Sequence, residues 1–309
     1  MIYDNYGRPT LNLRISVTQG CNLRCPYCHR EGETSPSTEM SLKEILRIVQ
    51  VALGLGISRV KITGGEPLLR SDILQIVKGI AELRGLRDLS MTTNGTLLLS
   101  FAKELRKNGL VRVNVNLPAL DREIYRTVTG GNLGDVLSGV RAAVDAGLYP
   151  VKLNMLVLKN MNDHEIPKMI NFAERSGTIL QLIELEPVNL RPNYYVDHQY
   201  DLSGVEEELQ KKAFRVETRR DMQNRRVYFL PRVKVEVIRP IENTEFCAHC
   251  TRLRVTSDGK LKPCLIRNNN LVDILTPLRN GADDDMLIQL FMEAIKRREP
   301  YYKAINKER

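Results

Sequence analysis

The sequence predicts an α/β fold with parallel strands. Six short strand-like runs alternate with amphipathic helical segments between Asn12 and Glu186, and each connection is long enough for a right-handed crossover. The length of 309 residues fits one barrel with a small appendage, or two average domains. Periodicity does not choose between a barrel and a doubly wound sheet.

Residues 12–18 alternate apolar and polar side chains, a strand that delivers the chain into a cysteine-bearing loop. Ser41 and Glu44 have capping-box spacing ahead of a helix in which Leu42, Ile45, Leu46, Val49 and Leu53 share a face, and Gly54 and Gly56 stop it. Residues 59–63 read as a strand, 73–83 as a helix capped by Ser71, 86–92 as a strand, and 98–107 as a helix ended by Gly109. Strand 111–117, helical pieces within 121–146, strand 151–158, helix 163–175 and strand 179–186 continue the alternation. After Pro187 the pattern changes to a Pro/Asn/Tyr-rich stretch, an acidic helix near 202–212, strand-like runs at 227–230 and 233–238, then turns and an amphipathic helix at about 284–297. The boundary falls within 189–223 and gives two units, 1–220 and 221–309.

Hydrophobic residues at 42% and charged residues at 27% exclude a disordered or collagen-like chain. No apolar run approaches the roughly 18 residues that span a bilayer, and residues 1–10 lack the basic start and apolar middle of a secretory signal, so a cytoplasmic protein is expected. The net charge of +9 favours anionic partners such as phosphates, a nucleotide or RNA, although solubility explains it equally well. With no Trp and 6% aromatics, an open stacking surface for single-stranded nucleic acid is disfavoured.

The six cysteines fall into two triplets, Cys21, Cys25 and Cys28 with C-x3-C-x2-C spacing, and Cys247, Cys250 and Cys264 with C-x2-C-x13-C spacing. In a chain of this size without a signal sequence, such spacings read as metal ligands rather than disulfides. Three thiolates suit an iron-sulfur cluster with one iron left open, or a zinc site completed by His29 in the first set and His249 in the second.

The run Cys21, Cys25, Tyr27, Cys28, with an aromatic residue before the third cysteine, resembles the signature of the radical S-adenosylmethionine superfamily. The segment Lys61-Ile-Thr-Gly-Gly-Glu-Pro-Leu-Leu-Arg70 is similar to that family's GGEP element, whose glycines let the backbone approach the methionine end of the cofactor. Together with the distal triplet and Arg252-Leu253-Arg254, these motifs resemble the GTP 3′,8-cyclases of molybdenum-cofactor biosynthesis. The resemblance covers nearly the whole chain.

It implies a partial, six-stranded, TIM-like (βα)6 barrel closed by a C-terminal cluster domain, with two 4Fe-4S clusters and S-adenosylmethionine as cofactors. In that family a 5′-deoxyadenosyl radical removes hydrogen from the ribose C3′ of GTP, and C3′ attacks guanine C8. Carried over residue by residue, the first cluster falls to Cys21, Cys25 and Cys28, and the second to Cys247, Cys250 and Cys264. S-adenosylmethionine contacts fall to Tyr27, Gly65, Asn116 and Glu186, and GTP contacts to Arg14, Lys61, Thr92, Lys152, Arg252, Leu253 and Arg254. The bland alternative makes Lys61 and Lys152 strand-end salt-bridge partners and the two arginines surface residues.

The chain departs from the family at Asn116-Leu-Pro118, at Gln181 where an arginine is common, around Glu186 where a methionine is frequent, and at 306–309, which lacks the usual Gly-Gly ending. An electron donor such as flavodoxin or ferredoxin, a downstream cyclic pyranopterin monophosphate synthase and a homodimer are further implied. Two rivals are a peptide-modifying radical enzyme with an auxiliary cluster, and a non-catalytic iron-sulfur protein that senses or binds nucleic acid.

Overall fold

The computed structural model describes residues 1–33 and 38–303, so the 306–309 tail lies outside it. The first six strands are β1 (Asn12–Ser16), β2 (Arg59–Thr63), β3 (Asp88–Thr93), β4 (Arg112–Asn116), β5 (Val151–Leu156) and β6 (Ile179–Ile183). They pair in parallel in sequence order. A strand order that advances one step at every crossover never reverses, which excludes a doubly wound sheet and makes this the curled arrangement of a barrel.

The ring is not closed by these strands alone. Antiparallel β7 (Arg215–Arg219) and β8 (Arg225–Phe229) lead to β9 (Lys234–Ile238), which pairs in parallel with β6. At the other edge β10 (Arg252–Val255) pairs in parallel with β1 and is followed by β11 (Lys260–Lys262) and β12 (Val272–Asp273). The result is one open, twelve-stranded sheet running from β12 to β7. The C-terminal part therefore extends both edges of the sheet instead of standing beside it.

The helices follow local chemistry. Helix α1 (Leu42–Gly54) begins at Ser41, whose capping box with Glu44 is formed. Helix α2 (Ile73–Ala81) has Asp72 at its N-cap, not Ser71, because the chain is pinned one residue later by Arg70, which donates to both Asp72 carboxylate oxygens. The stretch 121–146 divides into α4 (Arg122–Thr129) and α5 (Leu133–Asp145), after α3 (Leu98–Lys107), and α6 (Ile166–Ser176) completes the set.

Strand alternation assigns the two faces. Leu13, Ile15, Val60, Ile62, Val113, Val115, Leu180 and Leu182 are buried in the core. Burying each such side chain contributes about 1.5–3 kcal/mol. The intervening residues Arg14, Lys61, Thr92, Asn114, Lys152 and Gln181 line a cavity on the other face.

The N-terminal segment binds the C-terminal end to the sheet. Asp4, Arg8 and Arg298 are buried together, with Arg8 Nε 2.8 Å and Arg298 Nη1 3.5 Å from Asp4. Arg8 donates to the Cys247 carbonyl at 2.9 Å, and Arg298 donates to the Cys250 carbonyl and to Thr10. Removing one member of a buried charged set costs about 3–5 kcal/mol. Arg298→Leu is therefore expected to lower stability by about that amount in urea unfolding, while a solvent-facing change such as Lys78→Leu leaves it nearly unaltered.

Candidate active site

The inner face of the sheet, from the first residues of β1 to β4 up to the loops at the strand carboxyl ends, surrounds a cavity of about 280 Å³. Cys21, Cys25 and Cys28 open onto it from the loop after β1, and the turn after β2 fixes that loop. Gly65 N donates to Thr18 O and Glu66 N to Gly20 O, each at 2.7 Å. A Cβ on Gly65 would lie 2.2 Å from Gly20 O, and one on Gly64 would lie 2.5 Å from Thr18 O. The close approach these glycines permit here is thus to the cysteine loop itself.

Glu66 carries the contact to the next strand. Its buried carboxylate accepts from Thr93 Oγ1 at 2.7 Å, Asn94 N at 2.6 Å and Leu68 N at 3.0 Å, while burial pushes its pKa up to about 7. Asn94 in turn donates to Cys21 Sγ at 3.9 Å and to Asn22 at 2.7 Å. Among the predicted cofactor contacts, Asn116 donates to the buried Tyr27 hydroxyl at 2.9 Å, and Gly65 and Glu186 line the same cavity.

The second triplet surrounds an adjoining recess. Cys247, Cys250 and Cys264 line it, and Glu186, Phe246, Arg252, Arg254 and Leu265 belong to both walls. All six cysteines are free thiols. Burial pushes Cys25 up to about 12, with Cys28 and Cys21 adding to the rise, so ionised thiolates at the first set need a cation beside them. Burial would raise Cys250 as well, but Arg298, Arg252 and Arg8 bring it down.

Three soft donors around one chamber wall, twice over, fit two iron-sulfur clusters with an open iron each. Each of the two nearby histidines has its Nδ1 engaged by the backbone. His29 Nδ1 accepts from Glu31 N at 3.0 Å, and His249 Nδ1 lies 2.9 Å from Glu245 O on its own short helix.

Nine Arg and Lys residues line the main cavity against four Asp and Glu, which makes it an anion site. Arg14 Nη1 is 3.3 Å from Glu31, and Arg254 donates to the other oxygen of the same carboxylate. Burial would raise Glu31, yet Arg14 and Arg254 hold it at about 2. Lys152 pairs with buried Glu236, which also takes Arg219 at 3.0 Å and a hydrogen bond from Gln181. Lys61 donates to Asn114 at 2.9 Å, and Lys61 and Arg252 have no carboxylate partner among the described residues. Burial, reinforced by neighbouring cations, draws both well below their ordinary pKa values. An anionic ligand would supply the missing counter-charge.

Six of the seven residues expected to contact GTP therefore meet at this cavity: Arg14, Lys61, Thr92, Lys152, Arg252 and Arg254. Leu253 alternates to the other face of β10 and is fully buried in the core. The two arginines are not surface residues, since Arg254 is buried and Arg252 partly so. Lys152 is a salt-bridge partner as well as a cavity residue. Glu31, Arg219, Arg225 and Glu236 were not anticipated. A charged residue within the apolar run Val235-Glu-Val-Ile238 was the one available signal, for Glu236.

Comparison with known proteins places this geometry. Residues 15–173 match the Radical SAM superfamily, and residues 178–304 match Molybdenum Cofactor Synthesis C. A "Probable GTP 3′,8-cyclase" of Thermococcus kodakarensis is 51% identical over 311 residues, covering 98% of this chain and 100% of that protein. The chain belongs to the radical SAM superfamily and, within it, to the GTP 3′,8-cyclase family.

Another probable cyclase of this family, from Methanothermobacter marburgensis, is 48% identical over 98% of this chain and 99% of its own. Among solved structures, Streptococcus suis SuiB bound to precursor peptide SuiA superposes with a TM-score of 0.65 over 94% of this chain and 71% of that one. At 17% identity, that likeness concerns the radical SAM fold alone.

The charge network of this cyclase-family cavity has a pH signature. Burial opposes ionisation of Glu236, but Lys152 and Arg219 hold its pKa at about 2, below the ordinary 4.5. Its ionisation thus adds stability that is complete above pH 4.5 and lost as pH falls toward 2. Lys152, drawn down to about 8 by burial, stays protonated throughout that window. Glu236→Gln is expected to be less stable at neutral pH and to lose stability less steeply between about pH 5 and 3, as read by urea unfolding at each pH.

Proposed function

We propose that the chain catalyses the first step of molybdenum-cofactor biosynthesis as a GTP 3′,8-cyclase with the roles set out here. Cys21, Cys25 and Cys28 hold the cluster that receives S-adenosylmethionine, and Cys247, Cys250 and Cys264 hold the cluster that receives the purine. Bound there, the clusters and S-adenosylmethionine would supply a primary alkyl radical able to take the C3′ hydrogen of GTP, and one further electron and a proton would be needed, once C3′ has bonded to C8, to reach 3′,8-cyclo-7,8-dihydro-GTP. The observation that carries this reading is the pair of adjoining cavities, each lined by one cysteine triplet, with Arg252 and Arg254 in the wall common to both.

The protein's own contribution is position and charge. Arg14, Lys61, Lys152, Arg252 and Arg254 take the triphosphate, and Thr92 adds a hydroxyl on the same wall. Tyr27, Gly65, Asn116 and Glu186 flank the methionine and adenosine parts of the cofactor. Holding both reactants in one enclosed chamber places the ribose in near-attack contact before water or another side chain quenches the radical.

The residue division 1–220 for the barrel and 221–309 for the auxiliary-cluster unit serves this assignment. A flavodoxin or ferredoxin is proposed as electron donor, cyclic pyranopterin monophosphate synthase as the recipient of the product, the cytoplasm as the location and a homodimer as the assembly. No described helix is long and apolar enough to cross a membrane. A peptide substrate fits poorly against buried Arg254 and Lys152, and a sensor needs no GGEP turn.

Anaerobically reconstituted protein given GTP, S-adenosylmethionine and reductant is expected to yield 5′-deoxyadenosine and the cyclised nucleotide. Cys264→Ala should keep the first cluster and lose the cyclised product. Full cyclase activity in that variant, or no 5′-deoxyadenosine from the native chain, contradicts the assignment.

A further inference from the structure

Beyond the cysteines and cations already assigned, one carboxylate sits where it competes with an anionic ligand for the same cations. Glu31 lies three residues past Cys28 and is buried inside a cavity that gathers cations. It reaches that position through a left-handed turn, with φ of 47° at Arg30, 52° at Glu31 and 73° at Gly32. Two consecutive non-glycine residues in this region are strained, and such strain persists only where the surroundings impose it.

Those surroundings come from the second cysteine region. A Cβ on Gly32 would lie 2.5 Å from Leu265 O and 2.8 Å from Lys262 Cε, so the turn is wedged against the strand and loop that flank Cys264. Lys262 donates to Gly32 O at 3.3 Å, and Ser257 donates to Glu33 through its backbone at 3.1 Å and its hydroxyl at 2.6 Å. Asn189 donates to His29 O at 3.0 Å and Glu33 O at 2.9 Å. The turn thus fixes the carboxylate against Arg14 on β1 and Arg254 on β10, which are direct neighbours in register.

We infer that Glu31 is a positioning residue for GTP: one carboxylate clamps the guanidinium groups of Arg14 and Arg254 in a common orientation and leaves their remaining N–H edges for phosphate oxygens. A guanidinium offers five donors, so the clamp and a phosphate bind it together. This couples the loop of the first cluster to the two adjacent strands β1 and β10 of the substrate site. The inference rests on the proposed GTP site.

Charge competition and positioning predict opposite signs. If Glu31 only competes with the polyanion, its removal tightens GTP binding; if it orients the arginines, removal weakens binding although a negative charge has been lost. The test is equilibrium GTP binding to anaerobically reconstituted native protein, Glu31→Ala and Glu31→Gln, with S-adenosylmethionine affinity and iron content measured on the same samples. Absence of GTP binding by the native protein would reject the underlying function and is read first.

The expected result is a loss of GTP affinity of about ten-fold or more in Glu31→Ala. Glu31→Gln, which keeps a hydrogen-bond acceptor, should lie between it and the native protein, with cofactor affinity and iron content unaltered in both. Tighter or unchanged GTP binding in Glu31→Ala overturns the inference. So does an equal loss in both variants accompanied by lost iron, which would mean that the turn only supports the cluster loop.

Discussion

The inner face of the parallel sheet carries Arg14, Lys61, Lys152 and Gln181 where a filled barrel would carry branched apolar side chains, and this constraint governs the rest of the molecule. Cations held this close and this deep cannot be packed away. Their desolvation is offset by two buried carboxylates, Glu31 and Glu236, and the remaining charge on Lys61 and Arg252 calls for an anionic ligand. A closed, hydrophobic barrel interior is incompatible with that arrangement. The sheet accordingly stays open, and the C-terminal strands supply the acid, Glu236 on β9, and two more arginines, Arg252 and Arg254 on β10.

Continuity of the sheet explains how two cysteine sets more than two hundred residues apart line adjoining cavities with a common wall. Strand β10 lies directly against β1, so the residues following Cys250 run beside the strand that leads to Cys21. The Asp4, Arg8 and Arg298 cluster then fixes the carbonyls of Cys247 and Cys250 from behind. The GGEP turn does the same for the first loop through Gly65 N, Glu66 N and the Glu66 carboxylate, which reaches Thr93 and Asn94. Both cysteine sets are held by hydrogen bonds from rigid neighbours.

Local signals made much of this legible. The strand pattern marked the first six of the parallel strands, capping spacing located α1, and the cysteine spacing with its aromatic residue pointed to the first cluster site. What the sequence hid is non-local. Nothing in Arg252-Leu-Arg-Val says that it pairs with β1, and the short β11 and β12 acquire strand form only by adding to that edge. Lys152 was recognisable as a cavity cation, but its partner Glu236 lies 84 residues later. Leu253 was placed with the substrate contacts by its neighbours in sequence, whereas β-strand alternation turns its side chain into the core. Glu31 had no sequence signal, because its role depends on a left-handed turn imposed by contacts from residues 257–265.

The claim that two distinct centres serve one chamber is tested most directly by Mössbauer and electron paramagnetic resonance spectra of anaerobically reconstituted protein, recorded with S-adenosylmethionine alone and with GTP alone. The account predicts two 4Fe-4S centres: S-adenosylmethionine perturbs only the one that disappears in Cys28→Ala, and GTP only the one that disappears in Cys250→Ala. A single centre, or both ligands perturbing the same centre, would contradict it.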